Sequence, residues 1–323
     1  MGSAEVTIII PNLNGGTYLS ECLDSIASQT VEHELIVVDD GSTDESLLLL
    51  RKRAETGELT LIEHGVNKGF AAAANTGIRQ ATTPYVILFN NDGKAEKSFA
   101  AELLHTIQKS ENIFSVSAKM LQMKQPELID DCGDYYSALG WAFSPGRDRN
   151  ESLYNRRVRV TSACGGAAIY DRKKVRELGC FDEAHFCYLE DVDLGLRARR
   201  AGYINLYEPA AVMYHAASAT SGSRYNAFKI KLTIANSIYI IYKNQPLWMM
   251  ILNLPFLTAG FLIKTLFYFS KGQLRPCLEG YREGFRKIKN TTFIRPTITT
   301  VQFWRDLKLY LEFLANCVRR LRG

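Results

Sequence analysis

Three carboxylates fall within four residues at Glu190-Asp191-Val192-Asp193, inside the stretch FDEAHFCYLEDVDLGLRARRAGY from Phe181 to Tyr203. An acid at a helix N-terminus is favoured by the helix dipole, so capping is the plainest use for one of them. Capping needs neither three acids nor the aromatic lead-in of Phe181, Phe186 and Tyr188. A carboxylate held against apolar walls at a helix start is suited to taking a proton from a hydroxyl group. Asp39-Asp40 and Asn90-Asn91-Asp92 supply further acids. Hard oxygen ligands of this kind suit Mg2+ or Mn2+, and magnesium is commonly held by one or two carboxylates plus substrate phosphates.

The elements around these residues read as alternating strands and helices. Val6–Ile10 is a continuous β-branched run, the pattern of a strand buried on both faces, and it ends at Pro11-Asn12. Tyr18, Leu19, Cys22, Leu23 and Ile26 recur at helical spacing. Leu35–Val38 reads as a second strand running into Asp39-Asp40, and Ser42 with Glu45 makes a capping-box signature for the next helix. Leu59–Ile62 and Tyr85–Phe89 are further strands, separated by an alanine-rich helix through Asn75 and Ile78. This alternation predicts a mostly parallel sheet with helices on both sides, and ligands of such sheets bind at the carboxyl ends of the strands. Asp40 and Asp92 both follow strand ends. After the acidic cluster, Leu194, Leu196 and Ala198 are expected to face inward and Arg197, Arg199 and Arg200 mostly outward.

Charge divides the 323 residues unevenly. Residues 1–216 hold 22 Lys and Arg against 30 Asp and Glu, net −8, while residues 217–323 hold 17 against 4, net +13. Seven cysteines, odd in number and without a CxxC pair, read as reduced thiols of a cytosolic protein. No charged leader precedes an apolar run at the start, so no secretory signal is expected. The absence of GxGxxG after the first strand and of GxxxxGK[ST] anywhere removes the usual support for dinucleotide oxidoreduction and P-loop chemistry.

Seven segments, in order, carry a resemblance to the family 2 glycosyltransferases, an inverting group with the GT-A nucleotide-sugar-binding fold. They are VTIIIPNLN (6–14), IVVDDGSTD (36–44), NKGFAAAANTG (67–77), LFNND (88–92), CGGAAI (164–169), the stretch from Gly179 to Tyr203, and EPAAVMYH (208–215). Asn-Asn-Asp in place of the Asp-x-Asp of many relatives is similar to rhamnosyltransferase-like members. The resemblance implies that Asp40 hydrogen-bonds the nucleobase, with Pro11 and Asn12 lining that pocket and Asn67, Asn75 and Asn91 also at the nucleotide. Asp92 aligns with the metal-binding acid and His215 with a histidine that reaches the metal or diphosphate; Asn90 leaves the metal site with less negative charge. Gly165 and Gly166 fall where the backbone approaches sugar or acceptor. Asp191, with Glu190 beside it, aligns with the general base that deprotonates the acceptor hydroxyl.

The implied donor is a dTDP- or UDP-sugar, with dTDP-L-rhamnose favoured, and the implied cofactor is Mg2+ or Mn2+. Hydrolysis by paired carboxylates would not need the acids of the second strand. The Gln-x-x-Arg-Trp segment of processive synthases has no counterpart in Ser218–Tyr225 (SATSGSRY), so one sugar is expected per encounter. A pyrophosphorylase would need a basic loop near the first strand, and Pro11–Gly16 has no Lys or Arg. A non-catalytic GT-A-like module recruiting partner enzymes is the alternative class.

In the tail, Tyr225–Lys243 reads as a helix and Leu247–Ile263 is 17 residues without a charge, interrupted by Asn253, Pro255 and Gly260. Phe303–Leu321 is a last amphipathic stretch. A membrane span, a buried core or homodimer surface, and a helix pair lying in the membrane interface all fit. Aromatic and basic flanks favour attachment to an anionic membrane surface. No nucleic-acid module is recognisable, and basic charge alone is non-specific. The expectation is therefore a GT-A catalytic unit over 1–216 and a basic helical tail over 217–323. It would sit peripherally on the cytoplasmic face of the cell membrane and act on a glycan or polyprenyl-linked glycan acceptor in cell-surface polysaccharide synthesis.

Overall fold

A computed structural model describes residues 4–216, 226–293 and 298–322. The β-branched run forms β1 (Val6–Asn12), in which Val6, Ile8 and Ile10 enter one hydrophobic layer and Ile9 the other. It is followed by α1 (Leu19–Ala27), β2 (His33–Asp39), α2 (Ser46–Glu55), β3 (Thr60–Glu63), α3 (Phe70–Gln80) and β4 (Tyr85–Phe89). Next come β5 (Gly93–Ala95), α4 (Phe99–Ile107), β6 (Ile113–Gln122), β7 (Gln125–Asp131), β8 (Tyr135–Tyr136), β9 (Ala142–Phe143), β10 (Val158–Val160) and β11 (Ala167–Asp171). After α5 (Arg172–Glu177), α6 (Glu190–Ala201) and β12 (Ile204–His215), the tail forms α7 (Ala227–Asn244), α8 (Leu247–Ser270), α9 (Leu274–Asn290) and α10 (Thr300–Arg322).

The main sheet runs β10-β12-β6-β11-β4-β1-β2-β3, with β5 beside β12 and β7 beside β6. Pairing is parallel across β4, β1, β2 and β3. Beyond β4 it is mixed, because β11 runs antiparallel to both β4 and β6 while β12 runs parallel to β6. One face is covered by α1 and α4 through Leu19, Leu23, Phe99 and Leu103, the other by α3 and α6 through Ala73, Ile78, Leu194 and Ala198. Close approach of α3 to β1 requires Gly77, where a Cβ would lie 2.3 Å from Ile9 Cγ2.

Three local expectations are corrected. Ser42 does not cap α2: its hydroxyl donates to Asp39, and the N–H of Ser46 is taken instead by Asp44. The arginines of α6 do not face water. Their side chains are only 15–17% exposed, with Arg197 on Asp193, Arg199 on Glu312 and Arg200 on Asp306. Two of these pairs join α6 to α10, so part of the basic charge is spent inside the molecule. Finally, α8 is not interrupted at Pro255; it continues for 24 residues, with Asn253 and Gly260 turned inward. The segment Ser218–Tyr225, on which the reading against processivity was based, lies outside the described residues.

The tail helices pack on one another through small residues. A Cβ at Gly280 or Gly284 of α9 would come within 2.9 Å of Ile234 or Ile238 of α7. The hairpin β8–β9 and α10 meet where Phe313 packs edge-on against Tyr136 at 5.0 Å.

Breaking the Arg200–Asp306 pair leaves a fully buried carboxylate without its cation, which costs about 3–5 kcal/mol. Arg200→Ala is therefore expected to lower the urea unfolding midpoint well below that of Lys173→Ala, whose exposed partner Glu177 is 3.9 Å away.

Candidate active site

The carboxyl ends of β1, β2 and β4 open onto a cavity of about 940 Å3 whose opposite wall is the start of α6. Of the residues singled out in the sequence, Pro11, Asn12, Asp40, Asn67, Asn91 and Asp92 line it, as do Gly165, Gly166, Glu190, Asp191 and His215. Asn75 does not line it. Its amide donates to Phe181 O at 2.8 Å and accepts from Phe181 N at 3.0 Å, which ties α3 to the segment leading into α6. With both ends of the amide so occupied, Asn75 braces the protein where nucleotide contact was expected.

At one end of the cavity Asp40 is fixed by three donors. Lys68 N and His64 Nδ1 reach Oδ1 at 2.9 and 2.7 Å, and Gly69 N donates to Oδ2 at 2.8 Å. Gly69 has φ +93°, and a Cβ there would meet Phe186 O at 2.5 Å. Asn12 is equally constrained: it donates to Asp39 Oδ1 at 2.8 Å and accepts from Asn91 Nδ2 at 2.7 Å. Asn67 is exposed at the rim.

In the middle, His215 Nε2 lies 3.0 Å from Asp92 Oδ1 and 3.1 Å from Asn90 Nδ2, while Nδ1 lies 2.7 Å from Asp130 Oδ2. Arg147 completes the row at 3.0 Å from Asp130 Oδ1. Burial opposes charge on this imidazole, but hydrogen bonds to Asp130 and Asp92, and their charges, outweigh it and push His215 up to about 10. Asp92 Oδ1 and His215 Nε2 face one another at the cavity, and with the Nε2 proton displaced they would offer one oxygen and one nitrogen donor, a set that fits a Mg2+ or Mn2+ ion completed by phosphate oxygens. A tighter acid and histidine cluster exists at Asp182, His185 and Asp193. There the Lys243 ammonium already stands 2.6 Å from Asp182 and 3.0 Å from Asp193.

At the far wall the three acids of α6 separate. Asp193 faces away from the cavity, fully buried against Arg197 at 2.8 Å, Lys243 and Asn244. Burial would raise its pKa, yet Arg197, His185 and Lys243 hold it well below the carboxylate range. Asp191 faces the cavity, accepting from Gly165 N at 2.9 Å and Val192 N at 2.8 Å. Burial pushes it up, and those two N–H groups limit the rise. Glu190 is raised well above the usual range by burial and then by Asp191, and its Oε2 has no partner among the described residues. Gly166 is needed for space: a Cβ would lie 2.9 Å from Asn90 Nδ2.

The turn that delivers Asp191 is strained. Phe186, Tyr188 and Leu189 all have positive φ, at 65°, 69° and 68°. One side chain from the tail secures it: Asn236 Nδ2 of α7 approaches His185 O at 3.0 Å, Cys187 O at 3.0 Å and Tyr188 O at 2.7 Å. Lys287 of α9 donates to Asn236 Oδ1 and to Ala184 O. Sequence reasoning missed Asn236, and also Asp130, Asp131, Asp134 and Arg147, which line the cavity wall beyond His215. The run Asp130-Asp131-Cys132-Gly133-Asp134, with three acids in five residues, was the available signal. Burial and then Asp130 push Asp131 up to about 7. Phe228, Lys229, Ile230 and Tyr268 bring the tail into the same wall.

Residues 7–179 match the profile described as Glycosyl transferase family 2. The glycosyltransferase GlyA of Streptococcus pneumoniae serotype 4 is 36% identical over 104 residues, which is 32% of this chain and 15% of that protein. A PGL/p-HBAD biosynthesis glycosyltransferase of Mycobacterium tuberculosis (strain H37Ra) is 39% identical over 94 residues, 28% of this chain and 37% of that one. The chain thus spans well under half the length of these curated relatives. Among solved structures, GalNAc-T7 with UDP, GalNAc and Mn2+ aligns at TM-score 0.61 and 16% identity, over 74% of this chain and 48% of that chain. The mannosyltransferase PcManGT from Pyrobaculum calidifontis, in complex with GDP-Man and Mn2+, aligns at TM-score 0.57 and 17% identity, over 98% and 87%. Likeness at that identity establishes the shared fold.

Removing the amide should release the turn. Asn236→Leu deprives buried carbonyls of their donor, at about 1–3 kcal/mol for each left unsatisfied. The expected result is amide hydrogen exchange at 186–192 accelerated by at least tenfold, with exchange in β1 and β4 unchanged.

Proposed function

The chain belongs to glycosyl transferase family 2, and on that premise we propose that it is an inverting, non-processive glycosyltransferase using a nucleotide-sugar donor. The observation that carries the reading is one cavity lined together by Asp40, by Asp92 with His215, and by Asp191. That set matches the needs of transfer: hold the nucleoside, hold the diphosphate, and take a proton from the attacking alcohol. Asp40, locked by three donors, presents a fixed charge to the base, with Pro11 and Asn12 beside it. Bound at Asp92 and His215, Mg2+ or Mn2+ would offset the charge that builds on the leaving diphosphate. The named ligands of the two solved neighbours, UDP and GDP-Man with Mn2+, support this donor class.

Asp191 then acts as general base. Its Oδ atom accepts the hydroxyl proton of the acceptor as that oxygen bonds to the anomeric carbon and the bond from that carbon to the diphosphate oxygen breaks. Attack from the Asp191 side, opposite the diphosphate, inverts the anomeric centre. A pKa raised by burial makes Asp191 a stronger base than an exposed aspartate. We favour L-rhamnose from dTDP-L-rhamnose as the donated sugar, on the Asn90-Asn91-Asp92 pattern. A non-catalytic module would have no use for this set of residues in one cavity.

For the acceptor we favour a polyprenyl-linked glycan at the cytoplasmic face of the membrane, in cell-surface polysaccharide synthesis. The helix α8 is long and apolar enough to cross a bilayer, and only 17% of its apolar window is buried. Leu247, Ile251, Leu254 and Leu262 are 57–63% exposed on it, and Val301, Trp304 and Leu311 continue an apolar surface onto α10. Peripheral burial of this surface in an anionic interface also suits the basic residues of the tail. Tyr268, near the end of α8, lines the catalytic cavity, so a lipid-borne acceptor would meet the base without leaving the membrane surface. Burial of the same surface in a homodimer is the competing use.

Asp191→Asn is expected to lower kcat by about 10²–10⁴-fold while leaving nucleotide-sugar affinity within threefold, measured by product formation and calorimetry. Full turnover by that variant removes Asp191 as the base. In the unaltered enzyme, kcat should fall as pH drops through the Asp191 pKa, at a midpoint above the ordinary aspartate value of about 3.9. For the membrane, replacing both Ile251 and Leu254 by Glu should weaken binding to vesicles containing anionic lipid by at least about tenfold in sedimentation. Unchanged sedimentation, with a change of oligomeric state instead, favours the dimer.

A further inference from the structure

Asp130 has no place in the mechanism just given, yet it is buried in the same cavity and touches His215. Its strand, β7, lies on one side of β6 and β12 on the other, and His215 pairs with Gln122 at the edge of β6. Pairing between β7 and β6 steps from Ile129 opposite Leu121 to Asp131 opposite Met120, so Asp130 is the extra residue of a β-bulge. Bulges re-aim side chains beside functional sites, and here the carboxylate is turned across β6 to His215 Nδ1 at 2.7 Å. Its other oxygen is anchored by Arg147 at 3.0 Å.

We propose that Asp130 is a positioning residue for cation binding, holding the His215 ring so that Nε2 faces Asp92 and a divalent ion, with Arg147 fixing Asp130 in turn. Both ring nitrogens face carboxylates here, Nδ1 on Asp130 and Nε2 on Asp92. A divalent ion would displace the Nε2 proton, while the bond to Asp130 keeps Nδ1 protonated and leaves Nε2 as the metal donor. The same bond prevents the ring from turning over and makes Nε2 a stronger donor. The inference rests on the reading of Asp92 and His215 as cation ligands.

The test is titration of Mn2+ alone into the full chain, followed by the loss of the free-ion paramagnetic resonance signal, for the unaltered protein, Asp130→Asn and Asp92→Ala. Asp130→Asn is expected to weaken Mn2+ binding by about 10–100-fold, and Asp92→Ala by at least as much. With Mg2+ as the diamagnetic ion, nitrogen-15 spectra should show His215 held as the Nδ1–H tautomer in the unaltered protein and losing that single form in Asp130→Asn. Unchanged affinity in Asp130→Asn, with affinity lost in Asp92→Ala, overturns the role of Asp130 alone. Unchanged affinity in both variants overturns the cation-ligand reading and this inference with it. If Asp130→Asn does not fold, Arg147→Gln carries the test, with an expected loss of about 3–10-fold; no loss counts against the proposal.

Discussion

The carboxamide of Asn236, set against the carbonyls of His185, Cys187 and Tyr188, is the contact on which the placement of the α6 start depends. Three residues with side chains adopt left-handed backbone just there, each at a cost of about 1 kcal/mol or more. An unsupported turn of that kind would relax, and α6 would start elsewhere. The amide is fully buried and is itself held by Lys287, whose pKa burial pushes down to about 8. The strained turn fixes Leu189, Leu189 opens α6, and α6 carries Asp191 two residues later. The tail thus sets the position of an acid that lies 45 residues before Asn236 in sequence.

Charge follows the same logic. Of three acids crowded at one helix start, only those facing the cavity have no cation paired with them among the described residues. Asp193 is neutralised by Arg197 from its own helix and by Lys243 from the tail. Were Asp193 left unpaired, its charge would raise Asp191 and Glu190 further and oppose any anion entering the cavity. Lys243, Lys287, Arg199 and Arg200 all act inside the molecule, across the seam between the acidic front and the basic tail. The seam is thus held by pairs of both senses, tail Lys243 on acids of the front and front Arg199 and Arg200 on acids of the tail, so specific pairing and not net charge joins the two parts.

Sequence patterns revealed what depends on local order. The β-branched run of β1, the acids at strand ends and the acidic start of α6 were each visible, because period and turn chemistry place them. What stayed hidden depends on distant pairing. Asp130 gains its role from a one-residue slip between β7 and β6, which leaves no mark in composition. Asn236 reads as one more polar position in a helix until its three carbonyl partners, about 50 residues earlier, are in view. The arginines of α6 looked solvated because their acids, Asp306 and Glu312, are more than 100 residues away. Asn75 looked like a pocket residue because it follows a motif, although its amide is consumed by Phe181.

The cavity is thereby built from two unlike materials. The end holding Asp40, Asn12 and Asn91 is the edge of a close-packed sheet, with each of these side chains tied to backbone or to another side chain. The other wall is a strained turn with tail residues that include Phe228, Lys229, Ile230 and Tyr268, of which Phe228 is 54% exposed and packs its ring against Phe186 at 6.3 Å. A rigid end suits a ligand that must be held at one fixed point. A wall that ends in an exposed aromatic side chain on a helix suits one that varies in shape and arrives along a surface. Because the ring of Phe186 belongs to the turn that carries Asp191, a molecule displacing Phe228 would act directly on the position of that carboxylate. Selection of the second ligand and placement of the acid that would activate it are then one packing problem, solved by the tail.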